Sequence, residues 1–214
     1  MRLHPLNRDE YLLSVSTITD TESKRFAIQA LAWWDRHFSW KAQGCNVLID
    51  NEGKHVCYIF SKIDRYSEYL TVYNLFTPLI DRRQGFAEEL LDSTINHALS
   101  KHVRRIHFTS VSDSLDFYTS LGFIFWGIND IGHYYCDLPI PKNGLIGFEE
   151  MIKFSTNTTL LGSKMEKIYS KVVDNEGKLT LKQNQKHTAN CLKLGDKWIY
   201  NPLSVLHYEA RLSS

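Results

Sequence analysis

Long apolar runs are missing from this chain. No uninterrupted hydrophobic stretch in its 214 residues approaches the ~20 that a membrane-spanning helix requires. The opening MRLHPLNRDEYLL lacks the apolar core of a secretory signal. The expectation is therefore a soluble, cytoplasmic protein. Cysteine is scarce and scattered: Cys45, Cys57, Cys136 and Cys191 form no CxxC pair. Reduced, mostly buried thiols are expected, which excludes a disulfide scaffold. The nine histidines show no HExxH or comparable ligand spacing, so no metal is expected. A strong charge of either sign is also missing. At a formal net charge of +1 the chain is not a dedicated polyanion binder. Neither a Gly-Lys-Ser/Thr phosphate loop nor a GxGxxG dinucleotide fingerprint occurs.

What is present suffices for a folded core: 43% of residues are hydrophobic and 13% aromatic, which argues against disorder. Charge is distributed unevenly. Residues 1–150 carry 15 basic and 19 acidic side chains, whereas 151–214 carry 10 and 5. Pro139, Pro141 and Gly144 punctuate the chain near that change. They suggest a domain at 1–144 and an appendage at 145–214.

Along the chain, Asn7 is a candidate cap for a helix at 8–14. Thr19 and Glu22 have capping-box spacing for a helix at about 21–38. NVLIDNEGKHVCYIF reads as a hairpin turning at Gly53. The same DNEGK recurs at 174–178 with unrelated flanks, which points to a second hairpin with like turn chemistry, not a repeat. A strand is expected over 69–77. The helix after Arg83 gathers Phe86, Ala87, Leu90, Leu91, Ile95, Ala98 and Leu99 on one face. A strand at 103–109, a short helix at 114–120 and the strands FIFWGI and HYYCDL follow. This order describes an α+β layer with a mixed sheet. Beyond it, helices near 145–154 and 163–172, a hairpin at 171–183 and the apolar patch KWIYNPLSVL are expected.

The informative stretch is FTPLIDRRQGFAEELL. A strand runs into Arg82-Arg83-Gln84-Gly85-Phe86-Ala87 and a helix runs out of it. The first turn of a helix presents unpartnered N–H groups at its positive end. Gly85 lets a ligand approach the main chain, and two arginines add charge. The combination suits a phosphate or diphosphate. A turn glycine before an ordinary helix, with both arginines in solvent, is the plain structural alternative, so context decides.

That context is SLDFYTSLGF at 114–123, 33 residues after Gly85 to Tyr118. Together, the [Arg/Gln]-x-x-Gly-x-[Gly/Ala] pattern and Phe117-Tyr118-Thr119-Ser120-Leu121-Gly122-Phe123 resemble the GCN5-related N-acetyltransferase (GNAT) superfamily over about residues 1–140. One departure is that Pro78 stands four residues before Arg82, one more than is usual in the family. The resemblance implies a GNAT-like mixed, mostly antiparallel central sheet flanked by helices, with a small C-terminal α/β appendage. It implies acetyl-CoA as cofactor, its diphosphate on the backbone of Arg83, Gln84, Gly85, Phe86 and Ala87, with Arg82 as the first basic residue. It also places the pantetheine arm between strands 69–77 and 103–110, with Phe76 and Thr77 offering main-chain groups.

The implied activity is acetyl transfer to a primary amine by direct attack on the thioester. An ammonium of pKa ~10 must first lose a proton, and the developing oxyanion needs a donor. The resemblance makes Tyr118 the general acid for the departing thiolate. A phenol of pKa ~10 stays protonated at neutral pH. A packed aromatic is the alternative for this residue. Glu68, at the start of the strand before the motif, is the closest fit for a base. Tyr73 through water, His107 and Asp113 are further options. The resemblance places acceptor contacts on elements that carry Trp33, Trp34, Trp40, Trp126, Tyr134 and Tyr135, although such residues are more often core. The acceptor is a small-molecule or protein amine. An alternative is a catalytically weak or inactive coenzyme A-binding regulatory module, with the basic C-terminal segment as its interaction surface. A longer acyl donor is a third option. The lysines from Lys164 to Lys197 lack the clustered arginines and stacking aromatics of nucleic-acid readers. A solvated surface, a dimer contact or a cleft cover are the uses expected for that segment.

Overall fold

A computed structural model of the chain describes residues 1–64, 66, 69–123, 133–148, 191–194 and 197–200. Strand β1 (Arg2–Leu6) leads directly into helix α1 (Arg8–Ser16). Asn7 caps α1 as expected, accepting from the N–H groups of Asp9 and Glu10 at 3.0 Å each. The Glu10 carboxylate returns a bond to the Asn7 N–H at 2.8 Å and closes a reciprocal box. Helix α2 (Thr21–His37) departs from expectation at its start. Its cap is Asp20, not Thr19, with Oδ1 accepting from Ser23 N–H at 2.7 Å. A carboxylate is the stronger acceptor and also opposes the positive end of the helix.

The chain divides into two compact units, Met1–Asp64 with Leu70–Ser100, and Arg65–Tyr69 with Lys101–Ser214. In the first, β1, β2 (Cys45–Ile49), β3 (His55–Asp64) and β4 (Tyr69–Phe76) lie side by side in that order. The β1–β2 and β2–β3 pairs are antiparallel. Sequence reading did not anticipate β1. Pro5 disguises it, and an edge position, with β2 as its one neighbour in the sheet order, is where proline is tolerated. The β2–β3 turn forms as predicted, with Gly53 at φ 85° and Asp50 Oδ1 accepting from the N–H groups of Glu52 and Lys54. A bulge follows: Leu48 faces Cys57, whereas Ile49 faces His55.

Helices α1 and α2 cover one face of these strands around Tyr11, Leu31, Trp34, Tyr58, Phe60 and Phe76, all buried. Helix α3 (Phe86–Ser100) packs on β2 and β3. It buries Phe86, Leu90, Leu91, Ile95 and Ala98, the face its spacing predicted. Each such large side chain contributes about 1.5–3 kcal/mol of transfer free energy.

In the second unit β5 (Arg105–Ser110) pairs antiparallel with β6 (Tyr134–Pro139). Ile106, Phe108 and Ser110 are buried in strict alternation. Helix α4 (Leu115–Ser120) buries Leu115 and Tyr118. The apolar patch near the C-terminus supplies β8 (Lys197–Tyr200), antiparallel to β7 (Cys191–Leu194). Residues 145–148 are helical. The expected strand FIFWGI (123–128) lies outside the described residues except for Phe123, and the helix at 163–172 and hairpin at 171–183 lie wholly outside them. The architecture is α+β, with β1–β2, β2–β3, β5–β6 and β7–β8 all antiparallel.

Candidate functional site

Strand β4 ends at Phe76, and the chain then makes a 3-10 turn at Leu79–Asp81 before reaching α3. This turn lies in the loop that follows Pro78. It is tied at several points. Leu79 N–H donates to Ser23 Oγ at 3.0 Å, Asp81 N–H to Pro78 O at 2.9 Å, and Arg82 Nε to Thr77 O at 3.1 Å. Asp20 sits at the same corner. Its carboxyl is held below the usual range, chiefly by the Ser23 hydroxyl, with the Leu79 amide and the Arg82 charge adding to the effect.

Past the turn the backbone takes an unusual course. Arg83 lies at φ 62° and Gly85 at φ 81°. The only other non-glycine residue at positive φ among those described is His102, so Gln84 is at negative φ. The torsion therefore alternates in sign over three residues. Alternation in the sign of φ is one requirement of the αR–αL runs whose successive N–H groups make anion-binding nests. Gly85 has no steric penalty there, but Arg83 costs about 1–2 kcal/mol. A Cβ built on Gly85 would meet nothing within 4 Å, so the space in front of the main chain is open.

Helix α3 begins at Phe86, and its first backbone bond runs from Glu89 N–H to Gly85 O at 3.0 Å. The N–H groups of Phe86, Ala87 and Glu88 precede that bond and point out of the helix end. Arg82, Arg83, Gln84 and Gly85 are exposed, Ala87 is half-buried, and Phe86 is buried at 8% exposure. One side chain thus anchors the turn in the core while its neighbours offer main chain to solvent. Glu88 and Glu89 also stand in the first turn. They favour the helix but oppose an incoming anion.

Phe76, Thr77 and Arg82 to Ala87 are thus brought together on one connection within the first unit. Thr77 differs in detail from expectation. Its carbonyl already accepts from Arg82, and its hydroxyl donates to Cys57 Sγ at 3.2 Å. Tyr118 belongs to the second unit and is buried at 8% exposure. Its ring packs on Phe108 at 4.6 Å, Phe117 at 5.0 Å and Phe123 at 5.9 Å. Of the base candidates, Glu68 lies outside the described residues. Asp113 is exposed and His107 half-buried, both in the second unit. Tyr73 is half-buried in the first, its phenol pushed up by burial.

Of the aromatic residues considered for acceptor contacts, Trp34 is wholly buried and Tyr134 is 7% exposed, so both are core. Trp33 is 38% exposed and lies 5.3 Å from the Tyr73 ring. Trp126 lies outside the described residues. Tyr73 and Phe76 both pack toward the α1/α2 core. Two residues three apart cannot share a face of a regular strand, so β4 breaks its alternation between them.

Sequence reading missed one polar cluster in the same unit. Ser14 Oγ lies 2.6 Å from His55 Nδ1 and 2.6 Å from the Tyr58 hydroxyl. Burial pushes the Tyr58 phenol up to about 12 and lowers His55, with His4 adding to the latter. No local pattern signals contacts between residues this far apart in sequence. Among the described residues no His, Cys, Asp or Glu group has metal-binding geometry.

A family model described as acetyltransferase (GNAT) domain matches residues 15–132. No curated protein matches by sequence. Among solved structures, a bacterial toxin aligns at 13% identity and TM-score 0.50, over 71% of this chain and 94% of that one. The PaiA N-acetyltransferase of Thermoplasma acidophilum, solved in complex with coenzyme A, aligns at 11% and 0.46, over 64% and 96%. Nourseothricin acetyltransferase aligns at 15% and 0.42, over 47% and 66%.

Proposed function

The chain belongs to the GNAT acetyltransferase family, and from that premise we propose that it moves an acetyl group from acetyl-CoA to a primary amine. The cofactor's diphosphate would rest on the amides of Arg83 to Ala87. The observation that carries this reading is the alternation of φ across Arg83, Gln84 and Gly85 directly before the open end of α3. The residues fit the group: the start of α3 offers N–H groups without intrahelical partners, the space at Gly85 is open, and two exposed arginines stand beside it. Arg82 closes the loop on Thr77 through Nε, which leaves its terminal nitrogens to face an anion. When bound, acetyl-CoA supplies the activated acyl carbonyl and a thiol leaving group.

The chain's own work is to hold, orient and move protons. Tyr118 is the proposed acid. Its ring is fixed by three aromatic neighbours, so its hydroxyl loses little freedom when it acts. Glu68 is the proposed base, with Tyr73 through water, His107 and Asp113 as alternatives. Residues 1–144 are proposed as the catalytic domain, with 145–214 appended to it. No described helix is long and apolar enough to cross a membrane, and the proposed acceptor is a small-molecule or protein amine.

Thiol release from acetyl-CoA across a panel of amines tests the activity and the acceptor class together. Gly85→Glu should abolish coenzyme A binding by filling the seat with a carboxylate; unchanged affinity by calorimetry would remove the diphosphate assignment. Tyr118→Phe should lower turnover by about 10²-fold, the usual worth of a positioned acid, with coenzyme A affinity retained. Full turnover in that variant, with the chemical step shown to limit the rate, would assign the acid elsewhere.

A further inference from the structure

Asp81 is out of place by simple electrostatics. It is a carboxylate, 6% exposed, one residue before the two arginines of an anion seat. Its Oδ1 pairs with the Lys54 ammonium, and its Oδ2 is buried without a hydrogen-bond partner among the described residues. A negative charge here weakens anion binding, and burying it is costly. Its geometry gives the compensation. Lys54 lies between the β2–β3 turn and β3, 27 residues away in sequence. The pair joins the rigid sheet to the end of the 3-10 turn. Ser23 fixes the start of that turn through the Leu79 amide, and Arg82 closes it on Thr77. The next residue is Arg83 in its left-handed conformation. Such a torsion persists only where its surroundings determine it.

We infer that the Lys54–Asp81 pair is a positioning clamp that sets the backbone of residues 82–87. This rests on the reading of that stretch as the coenzyme A diphosphate seat. Neither side chain touches the cofactor. The pair holds the backbone torsions of that stretch, so binding does not have to order them.

Charge accounting and positioning predict opposite signs. If Asp81 acts only as a nearby charge, Asp81→Asn tightens coenzyme A, and Lys54→Met/Asp81→Asn restores wild-type affinity. If the pair is a clamp, Asp81→Asn and Lys54→Met each weaken coenzyme A by about tenfold or more. The double variant is then no better than either single one, because both remove the same contact. The KM for acetyl-CoA rises with Kd while kcat stays within about twofold, and Lys54→Arg retains most of the affinity. A role in fold stability alone lowers the melting temperature and leaves the KM-to-kcat split unmoved. Amide hydrogen exchange over 79–87 in the ligand-free protein should quicken in both single variants. Tighter or unchanged coenzyme A binding by Asp81→Asn, or unchanged exchange, overturns the clamp. Failure of the wild-type protein to bind coenzyme A overturns the cofactor reading instead, and exchange then judges the clamp by itself.

Discussion

The distinctive shape of residues 82–87 lies in the backbone, set by ties from outside the stretch: two positive φ angles, a helix start and one anchoring phenylalanine. The face beneath α1 and α2 holds its shape with side chains. Trp34 stacks on Phe38 at 4.3 Å and leans on Phe60 at 4.9 Å, while Tyr58 lies parallel to Phe76 at 4.8 Å. The two regions meet in Phe76, which closes the aromatic core and opens the loop. Damage to the core should therefore appear as lost stability, and damage to the seat as lost affinity.

The largest expected effect lies in the core. Trp34→Ala should cost about 3–5 kcal/mol, read as a lowered midpoint in denaturant, with coenzyme A affinity per folded molecule unchanged. An equal loss of affinity would mean that the two regions are not separable. Asn7→Ala comes next and should cost about 1 kcal/mol through the lost cap, again without touching affinity. In the proposed seat the balance between affinity and stability differs. Gly85→Ala meets no atom within 4 Å, so its cost is conformational alone, about 1 kcal/mol. Its effect on affinity should exceed its effect on melting temperature. The smallest stability change is expected from Arg83→Gly. Relief of the left-handed strain and the added freedom of the unfolded chain nearly cancel, to within about 0.5 kcal/mol. Calorimetry should still record weaker binding from the lost guanidinium.

Acid provides a further way to separate the regions. His55 titrates below its ordinary value because it is partly desolvated and faces His4. The folded state therefore binds its proton less readily than the unfolded state. The stability this confers is fully present above the unfolded value, near pH 6.5, and is lost as pH falls from there toward the lowered folded value. His55→Gln should flatten that limb of a stability-versus-pH curve, whereas substitutions in 82–87 should leave it in place.

Sequence legibility followed the same division. The strand, glycine and helix of the proposed seat were readable because their signals are local, all within about twenty residues. The Asn7 cap and the buried face of α3 were readable for the same reason. The left-handed torsion of Arg83 was not, since arginine carries no preference for it and the surrounding ties impose it. Strand β1 was hidden by Pro5, and the α2 start shifted to Asp20 because two acceptors stand side by side. Lys54 with Asp81, and Ser14 with His55 and Tyr58, join residues 27, 41 and 44 positions apart. No periodicity reports such pairs. The base stayed open because its choice depends on which carboxylate or phenol faces the acceptor, and residue type does not encode direction.

The left-handed Arg83 has one more consequence. If residues 82–87 hold the diphosphate as proposed, a torsion imposed by the surrounding ties offers the same main chain to any nucleoside diphosphate. Selection of the true donor then has to be made farther along the molecule, where the acyl-bearing arm differs from a bare nucleotide. ADP should accordingly behave as a weak competitor against acetyl-CoA.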